Sequence, residues 1–413
     1  MRRLLWSAVC VFLSAVPVLP QSTPEATSAI HLAPNGFDAG DYVYVSGQGP
    51  RAAALAPSAN FPAQVRQCLE NIRKVVESAG LSMDHVVYVQ VYLEDVKHYQ
   101  ELNEVFASYF LHDPPARAVL GVAQVPASPL QITAVAVRDL RDKRPVSLPG
   151  FSQNKAYSPG MLTYDRLFVS SIPAGDFAGK AVPKEPAEQV NMALDQLNSV
   201  VQASGLTLAN MVFVNPYLTA AVPMRVMNEQ YARRFEFGNT PARATIQVSS
   251  LPEAAQITYT GVAVRDLSQR RSIRPKNMPP SPTASPCVFA GDTLYCSAKS
   301  GFIPGPNGGV YAASTKDQTR QTMRNLLDNL EEADMNFDQL VSTTIYLDNL
   351  KELSQFATVY QKYFKGSWPS QTTVQQLAPT ERKPDKDDHY PDLEQMSLIA
   401  VRGRSSSTMR PLP

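Results

Sequence analysis

The chain has little histidine (5 residues), little cysteine (4) and almost no surplus of charge, with 38 Lys and Arg set against 37 Asp and Glu in 413 residues. Balanced charge gives it no electrostatic claim on a nucleic-acid backbone. The histidines and cysteines never gather at ligand spacing, so neither a metal nor another cofactor is expected. Long apolar runs are missing too, apart from Leu4 to Leu19, which follows Arg2-Arg3 and precedes the polar segment Gln21 to Ser28. That run is too short for a stable membrane span, and its flanks predict a signal peptide over residues 1–22, hence a secreted or periplasmic protein. An uncleaved anchor is the alternative, and crowded prolines leave the cleavage position open.

The four cysteines divide by position. Cys10 lies inside the signal-like segment, and Cys68 falls on the apolar stripe of a helix, where it reads as a buried hydrophobe. Cys287 and Cys296 flank a Gly291-Asp292 turn. If Ala290 pairs with Thr293, the two cysteines face one another, as a disulfide suited to export or as two free thiols.

A unit of about 125 residues occurs three times. Its opening motif is YVYVSG at Tyr42 to Gly47, RLFVSS at Arg166 to Ser171 and TLYCSA at Thr293 to Ala298. Its later motif is PPARA at Pro114 to Ala118, TPARA at Thr240 to Ala244 and WPSQT at Trp368 to Thr372, which sets Arg117, Arg243 and Gln371 126 and 128 residues apart. Domains are expected over 29–142, 152–270 and 282–403. Each unit reads as β-α-β-α-β-β with an N-terminal hairpin. The first helix carries Val65, Leu69, Ile72 and Val76 on one face and stops at Gly80. The third copy is expected to start its first helix at Thr319, and the second to hold a strand around Ala244 to Val248. Apolar helix stripes covering one face of each sheet leave the other faces to meet around an axis, giving an α+β pseudo-threefold trimer within one chain. The polar insert Pro379 to Leu393 reads as an exposed loop able to cover a cleft.

Together YVYVSGQGP (Tyr42 to Pro50), CLENIRKVVESAG (Cys68 to Gly80) and PARAV (Pro115 to Val119) resemble the RidA/YjgF family of enamine and imine deaminases. The resemblance implies a chorismate-mutase-like fold and ligand clefts between subunits, here fused as a monomeric pseudo-trimer. It implies that Arg117 and Arg243 bind a substrate carboxylate, a task suited to a planar guanidinium. Gly47 would position substrate through its backbone, with Ser171 and Ala298 in its place later. Asn103 and Asn228 would line the cleft, where the third copy has Ala357. Tyr157 lies where the family often supplies a ring, although plain packing explains it as well. The family's water-orienting glutamate is replaced by Gln131, Thr258 and Gln395, none of which is an ordinary general base. Glu394 is adjacent to Gln395 but should point to the opposite face. The expected partner is a small carboxylate-bearing molecule, hydrolysed if it is a reactive enamine or imine. The alternative is a noncatalytic small-ligand-binding or structural protein. Copies one and two are expected to be ligand-competent, with copy three a scaffold.

Overall fold

The computed structural model describes residues 33–51, 59–151, 156–173, 182–305, 309–377, 384–385, 389–403 and 409–413. The expected signal peptide, with Cys10, and most of the Pro379 to Leu393 insert lie outside them. No helix among the described residues is long and apolar enough to cross a membrane.

The fold is mixed α+β, with three repeats. The first contains β1 (Gly36–Asp38), β2 (Tyr42–Gln48), α1 (Phe61–Ser78), β3 (Val86–Leu93), α2 (Tyr99–Tyr109), β4 (Ala116–Gly121) and β5 (Leu130–Val137). The second follows with β6 (Arg144–Pro145), β7 (Gly160–Leu162), β8 (Arg166–Val169), α3 (Pro186–Ala203), β9 (Met211–Leu218), α4 (Met224–Ala232), β10 (Ala242–Arg243), β11 (Ile246–Gln247) and β12 (Ile257–Val264). The third comprises β13 (Arg270–Ile273), β14 (Cys287–Ala290), β15 (Thr293–Ser300), α5 (Thr315–Glu332), β16 (Leu340–Leu347), α6 (Leu353–Tyr360), β17 (Ser370–Gln375) and β18 (Glu394–Val401), and β19 (Arg410–Leu412) closes the series.

Local chemistry sets these limits. Asn60 caps α1 by accepting from the Ala63 N–H at 3.0 Å, and Gly80, at φ +74°, ends that turn in a conformation other residues resist. Helix α5 starts at Thr315, four residues before the expected position. Its first turns bury Thr315, Gln318, Thr319 and Thr322, so polar groups satisfied by hydrogen bonds hide the stripe that an apolar count would find. The expected strand over Ala244 to Val248 is also corrected. It is two fragments, β10 and β11, parted at Ala244-Thr245, where Asn215 Oδ1 takes the Ala244 N–H at 3.3 Å. Cys287 and Cys296 pair directly across β14 and β15 and are joined as a disulfide, whereas Cys68 is free and buried.

Each sheet is bordered by a short edge strand that lies outside its own β-α-β-α-β-β unit. Strand β6 pairs with β7, β13 with β14, and β19, after the third repeat, returns to β1 of the first, matching Gly36 with Leu412. The sheet faces without helices share one apolar cluster, with Phe37 and Tyr44 from the first repeat, Phe168 and Phe213 from the second, and Val288 and Tyr295 from the third.

Candidate functional site between the second and third repeats

Three serines fix which repeat faces which. Each donates its hydroxyl to a carbonyl of its own repeat and accepts a backbone N–H from another. Ser170 Oγ donates to Ser158 O at 2.6 Å and accepts from Arg117 N at 2.7 Å. Ser297 Oγ donates to Ser285 O at 2.6 Å and accepts from Arg243 N at 2.8 Å. Ser46 Oγ donates to Pro34 O at 2.6 Å and accepts from Gln371 N at 3.0 Å. Every junction thus sets the arginine-position strand of one repeat against the opening motif of the next. The serine is the fifth residue of YVYVSG, RLFVSS and TLYCSA. That shared letter was the available signal, overlooked beside the more variable residue after it.

This arrangement regroups the residues that the sequence singled out. Gly47 and Gln131 do not join Arg117. They lie together at the junction with Gln371, where a Cβ on Gly47 would stand 2.3 Å from Gln131 Cδ. Gln371 holds the arginine position at that junction, and Tyr360, at the position of the rings beneath the two arginines, bonds to Thr343 Oγ1 at 2.9 Å. The rings of Tyr360, Phe364 and Trp368 pack against one another at tilted angles.

At the junction of the first and second repeats, Arg117 is only 2% exposed. Its guanidinium donates to Asn103 Oδ1 at 2.5 Å and lies 4.8 Å from the Phe106 centroid, 4.9 Å from that of Tyr157 and 5.8 Å from that of Tyr99. Ser171 and Thr258 spend their hydroxyls on each other at 2.9 Å. Arg117 is a packed, caged cation, and Asn103 serves it directly.

The remaining junction is open. A cavity of about 490 Å³ is lined by Asn228, Arg243 and Thr245 from the second repeat, by Met278 and Pro279 from the connector, and by Ala298, Lys299, Asp392 and Gln395 from the third. Asn228 Oδ1 accepts from Arg243 Nη1 at 2.8 Å, and Tyr231 supports the guanidinium from 5.2 Å. Burial lowers the Arg243 pKa, yet an arginine so placed remains a cation at neutral pH. Where β10 breaks off, Thr245 exposes its carbonyl to Gln395 Nε2 at 3.2 Å, and its Oγ1 is buried without a hydrogen-bond partner among the described residues. The same Gln395 nitrogen also donates to Gln376 Oε1 at 2.9 Å, leaving the amide oxygen as an acceptor for water.

Asp392 was missed because it lies in the polar insert. The end of that insert is anchored, with Gln318 Nε2 donating to Pro391 O at 2.9 Å and Leu393 N donating to Gln318 Oε1 at 2.9 Å. Burial, reinforced by Asp348, pushes the Asp392 carboxyl up to about 7, although it accepts the Glu394 N–H. Glu394 turns away as expected, bonding to Thr322 beneath α5. A narrower cavity of about 110 Å³ sits where the three sheets meet, walled by Tyr88, Tyr92, Tyr217, Tyr346 and neutral neighbours. Among the described residues that line it there is no cation to hold a carboxylate.

The family described as Endoribonuclease L-PSP matches residues 24–138, 150–264 and 277–380, most of the chain, in three passes. The chain belongs to the RidA/YjgF family. Among RidA/YjgF relatives, a RutC family protein of Saccharolobus solfataricus is 38% identical over 118 residues, 28% of this chain and 93% of that protein. A protein named 2-iminobutanoate/2-iminopropanoate deaminase, from Salmonella typhimurium, is 35% identical over 124 residues, 28% of this chain and 95% of its own. The crystal structure of a chorismatase is similar in fold, with a TM-score of 0.53 at 13% identity over 77% of this chain and 93% of the other. Within this RidA/YjgF chain, the third repeat is no bare scaffold, because it supplies one wall of the open cavity.

Proposed function

We propose that the cleft between the second and third repeats binds a small carboxylate-bearing imine or enamine and hydrolyses it to a carbonyl compound and ammonium. The observation that carries this reading is the shared cavity itself, in which Arg243 from one repeat and Asp392 from the next line the same walls. The guanidinium edge not held by Asn228 offers paired charge-assisted hydrogen bonds to a carboxylate. Asp392, poised near neutrality, takes a proton from water that Gln395 Oε1 orients toward the imine carbon, and returns it to the departing nitrogen. Asp392 thereby supplies the carboxylate missing at Gln131, Thr258 and Gln395. The name of the Salmonella relative supports this substrate class.

The cyclic strand pairing supports a closed pseudo-threefold trimer, of chorismate-mutase-like design, acting as a monomer. The disulfide supports secretion or a periplasmic location. The substitution of glutamine or threonine for the usual glutamate favours a second reading, noncatalytic binding of the same carboxylates.

Ammonium release from freshly generated short-chain 2-imino acids tests the choice. The wild type should exceed the uncatalysed rate, and Arg243→Ala should lower kcat/KM on the order of 100-fold, the worth of about two charge-assisted hydrogen bonds. Arg117→Ala should leave kcat/KM nearly unchanged. Carboxylate binding with no release above background would leave the noncatalytic reading in possession.

A further inference from the structure

We propose that Lys299 is a covalent nucleophile in this cleft, forming an imine with 2-oxo and 2-imino acids whose carboxylate rests on Arg243. The proposal rests on the deaminase reading of the same cavity and names how its carbon–nitrogen bond is exchanged.

Lys299 lines the cavity with Arg243 and Asp392. It stands just past the point where the pairing of β15 with β18 shifts register, between Cys296 and Lys299, a bulge of the kind that re-aims a side chain. The matching residues of the other repeats are Gln48 and Ile172, so this junction alone has an amine there. Lys299 forms no ion pair among the described residues, and burial alone holds its pKa below the usual lysine range. Burial favours the uncharged, nucleophilic form of the amine, whereas a lysine kept only for its charge would normally be paired or solvated.

The exchange balances without a further reagent. The lone pair on Lys299 Nζ forms a bond to C2 of the 2-imino acid, and the C=N π pair moves to the substrate nitrogen. Asp392 relays the two Nζ protons in turn to that nitrogen, ammonia departs, and a C=N bond to Lys299 remains. Water then adds at C2, and collapse to the C=O bond returns the amine, so one imine and one water yield one 2-oxo acid and one ammonia.

The intact protein, incubated with 2-oxobutanoate and sodium cyanoborohydride and then digested for mass spectrometry, should carry the reduced adduct on Lys299 in preference to exposed lysines. Arg243→Ala should lose the adduct. Lys299→Arg keeps the charge but cannot form the imine, so it should lose both the adduct and at least tenfold in ammonium release, with its melting temperature checked against wild type. The wild-type trapping experiment needs no variant to fold. Ammonium release by the wild type without an adduct on Lys299, or full turnover by Lys299→Arg, would overturn the nucleophile and leave the deaminase reading standing. No adduct and no ammonium release would overturn both.

Discussion

Three rings and Asn103 surround the guanidinium of Arg117, while Arg243 has one ring, Asn228 and an open cavity. The first is spent on packing. Arg117→Ala should therefore cost on the order of 3 kcal/mol in denaturant unfolding, the scale of emptying a large buried site. Asp392 gives the cavity its pH dependence. As the base it must be ionised, so kcat/KM should rise with pH through about 7, and Asp392→Asn should remove that limb from the pH–rate profile. Its effect on stability has the opposite sign. Folding raises this pKa from 3.8 to about 7, so the native state binds the proton more tightly over that interval. The stabilisation is full below the unfolded value and is lost as pH rises through the folded one.

At the level of strands and helices, the serine at the fifth position of each opening motif carries the alignment of the neighbouring repeat. Ser297→Ala removes the acceptor for Arg243 N and should cost about 1 kcal/mol of stability. It should also weaken carboxylate binding several-fold by calorimetry, with Ser297→Thr restoring part of the loss. Ser170→Ala should show the stability cost without the change in binding. Most of the strand and helix order was legible from stripes and stops such as Val65 to Val76 followed by Gly80, because those signals are local. The first turn of α5 was not, since buried Thr315 and Gln318 satisfy their polar groups on Glu352, Ala312 O and Pro391 O. The site was half legible. Arg243 and Asn228 sit in or near a repeated motif, but Lys299 and Asp392 reach them only across a junction, a relation that spacing within one repeat does not encode.

Across the whole molecule, the hand-over of edge strands ties the third repeat back to the first. A chain ending after Gly403 lacks β19 and uncovers the backbone edge of β1, an invitation to pair with another copy. It should melt at a lower temperature and, in sedimentation, show association that grows with concentration. Three repeats in one polypeptide also change what a single substitution does. In a particle of three identical chains each replacement is written into every junction at once, so losing the arginine would empty all the clefts together. Here Gln371 stands at one junction, with Tyr360, Phe364 and Trp368 packed together in the core of its repeat, while Arg243 remains in another. Covalent linkage lets one corner trade chemistry for rigidity without asking the same of the others.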